Sequence, residues 1–226
     1  MTFHILTIFP EVLKPYLKES VLGRAVKKGL IKVKFYDLRD FTDDKHNKVD
    51  DKAYGGGPGM VIKVEPLVKA MQHILKGRSK KSVKVLVTEP SGKIFDNKMA
   101  TNLSKGPKHI VIIAGRYEGL DERFVKVLSS KTGFGVSVEQ VSTGPYVLTG
   151  GELPAMAIVD AVSRHIKGVL GKESSLEEKR LGVGVPAYTR PEVFKHKGRS
   201  YSVPSDLISG DHEKIKKWRG KHRRTN

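Results

Sequence analysis

The sequence contains no cysteine. That excludes a disulfide framework and any thiolate metal site, and it suits a reducing, intracellular setting. No apolar run approaches the ~18 residues of a membrane span, so no membrane partner is expected. The N-terminal stretch "MTFHILTIFPEVLK" lacks the basic region and long apolar core of a signal peptide, and a cytoplasmic location is expected. The common nucleotide fingerprints are missing too. No G-x-G-x-x-G follows a strand-like run and no G-x-x-x-x-G-K-[ST] occurs, which excludes the usual dinucleotide fold and the P-loop. There is no H-E-x-x-H and no G-x-S-x-G, and the eight histidines are scattered. No metal site is expected.

Acidic residues are in short supply: 24 Asp and Glu stand against 42 Lys and Arg, a formal charge of +18 over 226 residues. Such an excess points to a polyanion, with nucleic acid the leading class.

The chain is long enough for one large domain or two modest ones. "FHILTIF" (3–9), "LIKVKFYDL" (30–38), "VKVLVTEP" (83–90), "HIVIIAGR" (109–116) and "GVSVEQVS" read as strands. Pro10-Glu11 suits a helix start, with Val12, Leu13, Tyr16 and Leu17 at helical spacing. Helices are expected over 96–104, capped by Asp96, over "LDERFVKVLSS", and over 152–166. The alternation predicts an α/β domain with a mostly parallel sheet over residues 1–166. Residues 167–190 mix glycine, proline and polar residues and read as a flexible linker. Residues 191–226 carry ten Lys or Arg against four Asp or Glu and are expected to form a small basic helical domain that touches phosphate, with a cap at Ser209 or Asp211. The single Trp218 reads as an anchor of the last helix.

Glycines gather in "YGGGPGM" (54–60), "AGRYEGLDER" (114–123) and "STGPYVLTGGELP" (142–154). Two of these follow strands, as does "TEPSG" (88–92). Ligands in open parallel sheets bind beyond the carboxyl ends of strands, so these loops are expected to converge on a pocket walled by main chain.

"VDDKAYGGGPGM", "GRYEGLDER" and "GPYVLTGGELPAM" resemble the signature stretches of the bacterial tRNA (guanine-N(1))-methyltransferase family, TrmD. "FPE", "LRDFT", "VPAYTRPEV" and "SGDHEKIKKWR" are similar as well, in the same order, so the likeness covers nearly the whole chain. The resemblance implies an α/β methyltransferase with a deep trefoil knot, acting as a homodimer on tRNA. It implies S-adenosyl-L-methionine as cofactor and N(1) of the guanosine immediately 3′ of the anticodon as target. Carried onto this sequence, the cofactor-binding residues are Glu89 and Pro90 in the first loop and Gly115, Arg116, Tyr117 and Glu118 in the second. In the third they are Thr143, Gly144, Pro145, Tyr146, Val147, Leu148, Gly150, Gly151 and Pro154. Pro145 stands where the family usually has an aspartate.

Arg164 matches the family's catalytic arginine, with the helix face Met156, Val159, Asp160 and Ser163 expected to lead back to the pocket. His46, Asp50 and Asp51 resemble positions that approach the tRNA, although ordinary capping and solvation account for that acidic loop equally well. The family places its general base in the linker. Lys179 falls at that position here, in a stretch that is short for the family, and Glu178, then Glu177, are the nearest carboxylates. Two other readings stay open. One is a sugar 2′-O-methyltransferase of the same superfamily, the other a non-catalytic RNA-binding relative.

Overall fold

The computed structural model describes residues 1–171 and 184–223. The chain divides into two compact units, Met1–Leu170 and Gly171–Asn226.

In the first unit, short apolar runs rich in Val and Ile become the strands of a five-stranded sheet, ordered β2-β1-β6-β5-β7. These are β1 (Thr2–Thr7), β2 (Lys32–Asp37), β5 (Val83–Ile94), β6 (His109–Ala114) and β7 (Ser137–Ser142). Every neighbouring pair in this sheet is parallel. β5 runs past Thr88, and its pairing with β7 shifts between Thr88 and Lys93. Gly92 lies so close to β7 that a Cβ would meet the Val141 nitrogen at 2.5 Å.

Parallel strands need crossovers, and helices supply them on both faces. On one face Phe3, Ile5, Leu86, Ile110 and Ile112 pack with α2 (Ser20–Lys27), α4 (Asn97–Lys105) and α6 (Glu152–Arg164). On the other, Leu6, Val85, Val87, Val111 and Ile113 pack with α3 (Val64–Leu75) and α5 (Glu122–Ser129). The period-two alternation along β6 assigns Ile110 and Ile112 to one core and Val111 and Ile113 to the other. Each buried side chain of this size contributes ~1.5–3 kcal/mol. Asp96 caps α4 as expected, its Oδ1 accepting from the Met99 amide at 2.7 Å.

The start of the chain departs from expectation. In place of one helix through Leu17 there is a single turn, α1 (Pro10–Leu13), and a 3₁₀ turn at Tyr16–Lys18, because Pro15 cannot donate within a continuing α-helix. A hairpin, β3 (Asp50–Lys52) and β4 (Met60–Ile62), carries the YGGG loop at its tip.

The second unit is not purely helical, which corrects the sequence expectation. Val193–His196 (β8) and Arg199–Ser202 (β9) form an antiparallel hairpin, followed by helices Ser205–Ile208 and His212–Lys221. Its turn needs positive φ at both central residues, and Lys197 at 47° and Gly198 at 75° supply it. Asp211, rather than Ser209, caps the last helix by accepting from the Glu213 and Lys214 amides. Trp218 is buried, edge-on to Tyr188 and stacked on His222 at 4.2 Å.

Candidate active site

β6, β5 and β7 are neighbours running in one direction, so their C-terminal loops emerge side by side. Those loops enclose a cavity of about 380 Å3. Glu89 and Pro90 line it from the first loop, the stretch of β5 after Thr88 where its pairing with β7 is interrupted, and Gly115 to Glu118 from the second. Thr143, Tyr146 to Leu148, Gly150, Gly151 and Pro154 line it from the third. Two of the expected residues lie elsewhere. Gly144 is buried with the Tyr146 ring over it, so close that any Cβ there would collide with the ring, and Pro145 is exposed outside the cavity wall.

Close packing explains the glycines. A Cβ on Gly151 would collide with Thr88 Oγ1 and lie 2.8 Å from both the Ala114 Cα and the Gly115 nitrogen. The Gly151 amide donates to the Gly115 carbonyl at 2.8 Å. Gly150 likewise leaves room only for Arg116 and Glu152. Here all three loops touch, and only backbone without a side chain fits between them.

Charge is fixed beneath the loops. Glu152, in the first turn of α6, is 2% exposed. Its Oε1 accepts from Thr7 Oγ1 at 2.7 Å and its Oε2 from Arg116 Nε at 3.0 Å. The Arg116 guanidinium lies 4.6 Å from the centroid of the Phe9 ring. Thr7, Phe9 and Glu152 escaped the sequence reading. The only available signal was the acid directly after two glycines at a helix start, a position the helix dipole favours. At the rim, the Glu89 carboxylate is oriented by Ser91 Oγ at 2.5 Å and Gln140 Nε2 at 2.7 Å. Tyr117 holds φ at 60°, a conformation few non-glycine residues adopt, and its ring is 54% exposed at the cavity.

The hairpin β3–β4 is stitched to the second loop. Glu118 N donates to Met60 O, Ile62 N to Gly119 O and Asp121 N to Ile62 O, each at 3.0 Å. Asp50 and Asp51 pair with Ile62 and Val61, so the acidic segment and the cavity wall share a backbone framework. His46 is exposed in a turn organised by Asp44, whose carboxylate accepts from the His46 and Lys48 amides. Those bonds hold the Asp44 carboxyl below its usual range.

Arg164 is the last residue of α6, twelve residues or ~18 Å along the axis from Glu152. It lines a second groove with Val12, Tyr16, Leu153, Met156 and Asp160. Tyr16 donates to Asp160 Oδ2 at 2.6 Å. The expected face is therefore split: Met156, Val159 and Ser163 are buried, and of the four only Met156 and Asp160 line this groove. Arg164 does not line the loop cavity of the chain. Glu177 and Glu178 lie outside the described residues.

No helix among the described residues is long and apolar enough to cross a membrane. Proteins named "tRNA (guanine-N(1)-)-methyltransferase" are similar along nearly the whole chain. The one from Dictyoglomus turgidum is 46% identical over 96% of this chain and 82% of its own. That from Clostridioides difficile is 41% identical over 97% and 90%, and that from Haemophilus influenzae 45% over 97% and 85%. The profile of the family described as "tRNA (Guanine-1)-methyltransferase TrmD" matches residues 1–226. With that match over its whole length, the chain belongs to the tRNA (Guanine-1)-methyltransferase TrmD family.

Proposed function

We propose that this protein methylates N(1) of the guanosine immediately 3′ of the anticodon in tRNA, using S-adenosyl-L-methionine. One observation carries the reading. The segments that follow three adjacent parallel strands line one cavity in a chain of this family. The cavity suits the methyl donor in size, within the ~300–1,000 Å3 of small-molecule sites. Its lining suits it as well. Pro90, Val147, Leu148 and Pro154 offer apolar surface to an adenine, while Glu89, Glu118 and Glu122 offer carboxylates to the cationic end. When bound, S-adenosyl-L-methionine supplies a methyl group on a sulfonium, already activated for transfer.

The chain's own residues must then orient the guanine, remove the N(1) proton and stabilise charge on O6. Arg164 is assigned to O6 and Glu178 to the proton, with Glu177 in reserve. Because Arg164 lies away from the cavity of its own protomer, the reading includes a homodimer in which Arg164 of one protomer serves the cavity of its partner. The groove beside Arg164 supports this. Val12, Leu153 and Tyr16 there are 60, 65 and 54% exposed, an apolar face fit for an isologous interface. The knotted path of the chain is carried over from the family resemblance alone. His46, Asp50 and Asp51 are assigned to the approaching tRNA and the basic residues of 191–226 to its phosphates, in the cytoplasm.

The test is transfer of radiolabelled methyl to tRNA bearing a guanosine 3′ of the anticodon. Nucleoside analysis should give 1-methylguanosine; a 2′-O-methyl nucleoside, or no incorporation, overturns the reading. Light scattering should give twice the chain mass at micromolar concentration.

A further inference from the structure

The β8–β9 hairpin is exposed on both faces, and one of them carries its aromatic rings. Phe194 pairs with Tyr201 and His196 with Arg199 across the two strands. Directly opposed residues share a face, as do residues two apart on one strand, so all four side chains stand together. Phe194 is 56% and Tyr201 54% exposed, and their ring centroids are 6.5 Å apart. His196 lies nearly parallel to Phe194, at 11° and 6.2 Å. Arg199 shares this face and Lys197 sits in the adjoining turn, while Lys195, paired with Ser200, falls on the opposite face. Glu192 is the sole acid in 190–202. The two-residue turn at Lys197–Gly198 holds the strands in register, and the Val203 amide extends the ladder to the Glu192 carbonyl at 2.9 Å.

We propose that this face is a base-stacking platform for unpaired nucleotides of the tRNA. The exposed aromatic rings lie side by side on one hairpin face, Phe194 and Tyr201 tilted by 37° and Phe194 and His196 nearly parallel, with Arg199 beside them. They match the needs of single-stranded nucleic acid, whose bases stack while its phosphates are neutralised. The cations Lys197 and Arg199 select a polyanion over an apolar protein surface. A paired stem keeps its bases stacked inside, so the rings select loop or end nucleotides. The proposal rests on the tRNA reading above and gives the second unit a role beyond charge.

The test measures binding of the full chain to fluorescently labelled tRNA over a range of NaCl. The double variant Phe194→Ala/Tyr201→Ala should bind about 10-fold or more weakly, with the slope of log K against log[salt] unchanged, since stacking releases no counterions. Lys197→Ala/Arg199→Ala should instead flatten the slope, by ~0.7–0.9 per lost phosphate contact. Phe194→Tyr/Tyr201→Phe, which keeps both rings, should bind like the parent. If the alanine pair binds tRNA at parental affinity while the parent binds and methylates it, the platform is wrong and the enzyme reading stands. Equal weakening toward a fully paired RNA stem also overturns it. If the parent binds no tRNA, both readings fall.

Discussion

Arg116 Nε donates to Glu152 Oε2 at 3.0 Å, tying the second cavity loop to the first turn of α6. The carboxylate has almost no solvent, since Thr7 takes its other oxygen. Removing one partner strands a buried charge, which costs ~3–5 kcal/mol when the pair is dry. Arg116 is partly open to water, so about 2–3 kcal/mol is expected for Glu152→Ala in urea melts. The double variant with Arg116→Ala should lose less than the sum of the two single changes. Strict additivity would show that the two residues act independently.

Gly151→Ala should abolish cofactor binding by calorimetry and destabilise the fold by ~1–3 kcal/mol, because backbone at Ala114 and Gly115 must move to admit the methyl group. Gly220 is the control. It lies in the last helix with no atom within 4 Å of an added Cβ, so Gly220→Ala should bind cofactor normally and gain up to ~1 kcal/mol of helix stability.

Arg164→Ala should lower kcat by ~100-fold or more and leave S-adenosyl-L-methionine affinity intact. Its place in the second groove, away from the loop cavity, makes the split sharp. A parallel loss of cofactor binding would move the residue's role from O6 to the pocket.

His4 sets an acid limit on stability. It is buried, with Nδ1 2.9 Å from Tyr36 Oη and Nε2 3.2 Å from His109 Nδ1. Burial first, then Arg78, His109 and Lys34, lower its pKa to about 4. The unfolded chain takes this proton near 6.5. The folded state therefore binds fewer protons between 6.5 and 4, and stability falls as the pH drops through that window. Thermal melts should show the decline, and His4→Gln should reduce its steepness. An identical pH dependence in the variant would assign the decline to other groups.

The central strands could be read because each is a short apolar run that both faces of the sheet bury, as at Ile110–Ile113. The α4 cap was legible because Asp96 acts within three residues. α3 went unforeseen although Leu67, Ala70, Met71 and Ile74 keep helical spacing and are buried. The β8–β9 hairpin was hidden because both its faces are exposed, so no apolar alternation marks it.

By itself, then, the sequence determined the positive charge, the alternating elements, the glycine clusters and the family likeness, since these are local or compositional. Tertiary structure decided which of them meet. Glu152 reaches Thr7 across 145 positions and Arg116 across 36, and Gly151 becomes indispensable only once Thr88 and Gly115 press on it. The separation of Arg164 from the cavity was decided there too, because helical spacing gives a residue's face but not the neighbour that face meets. Local propensity acts over a few residues, whereas a site is a set of contacts between distant ones.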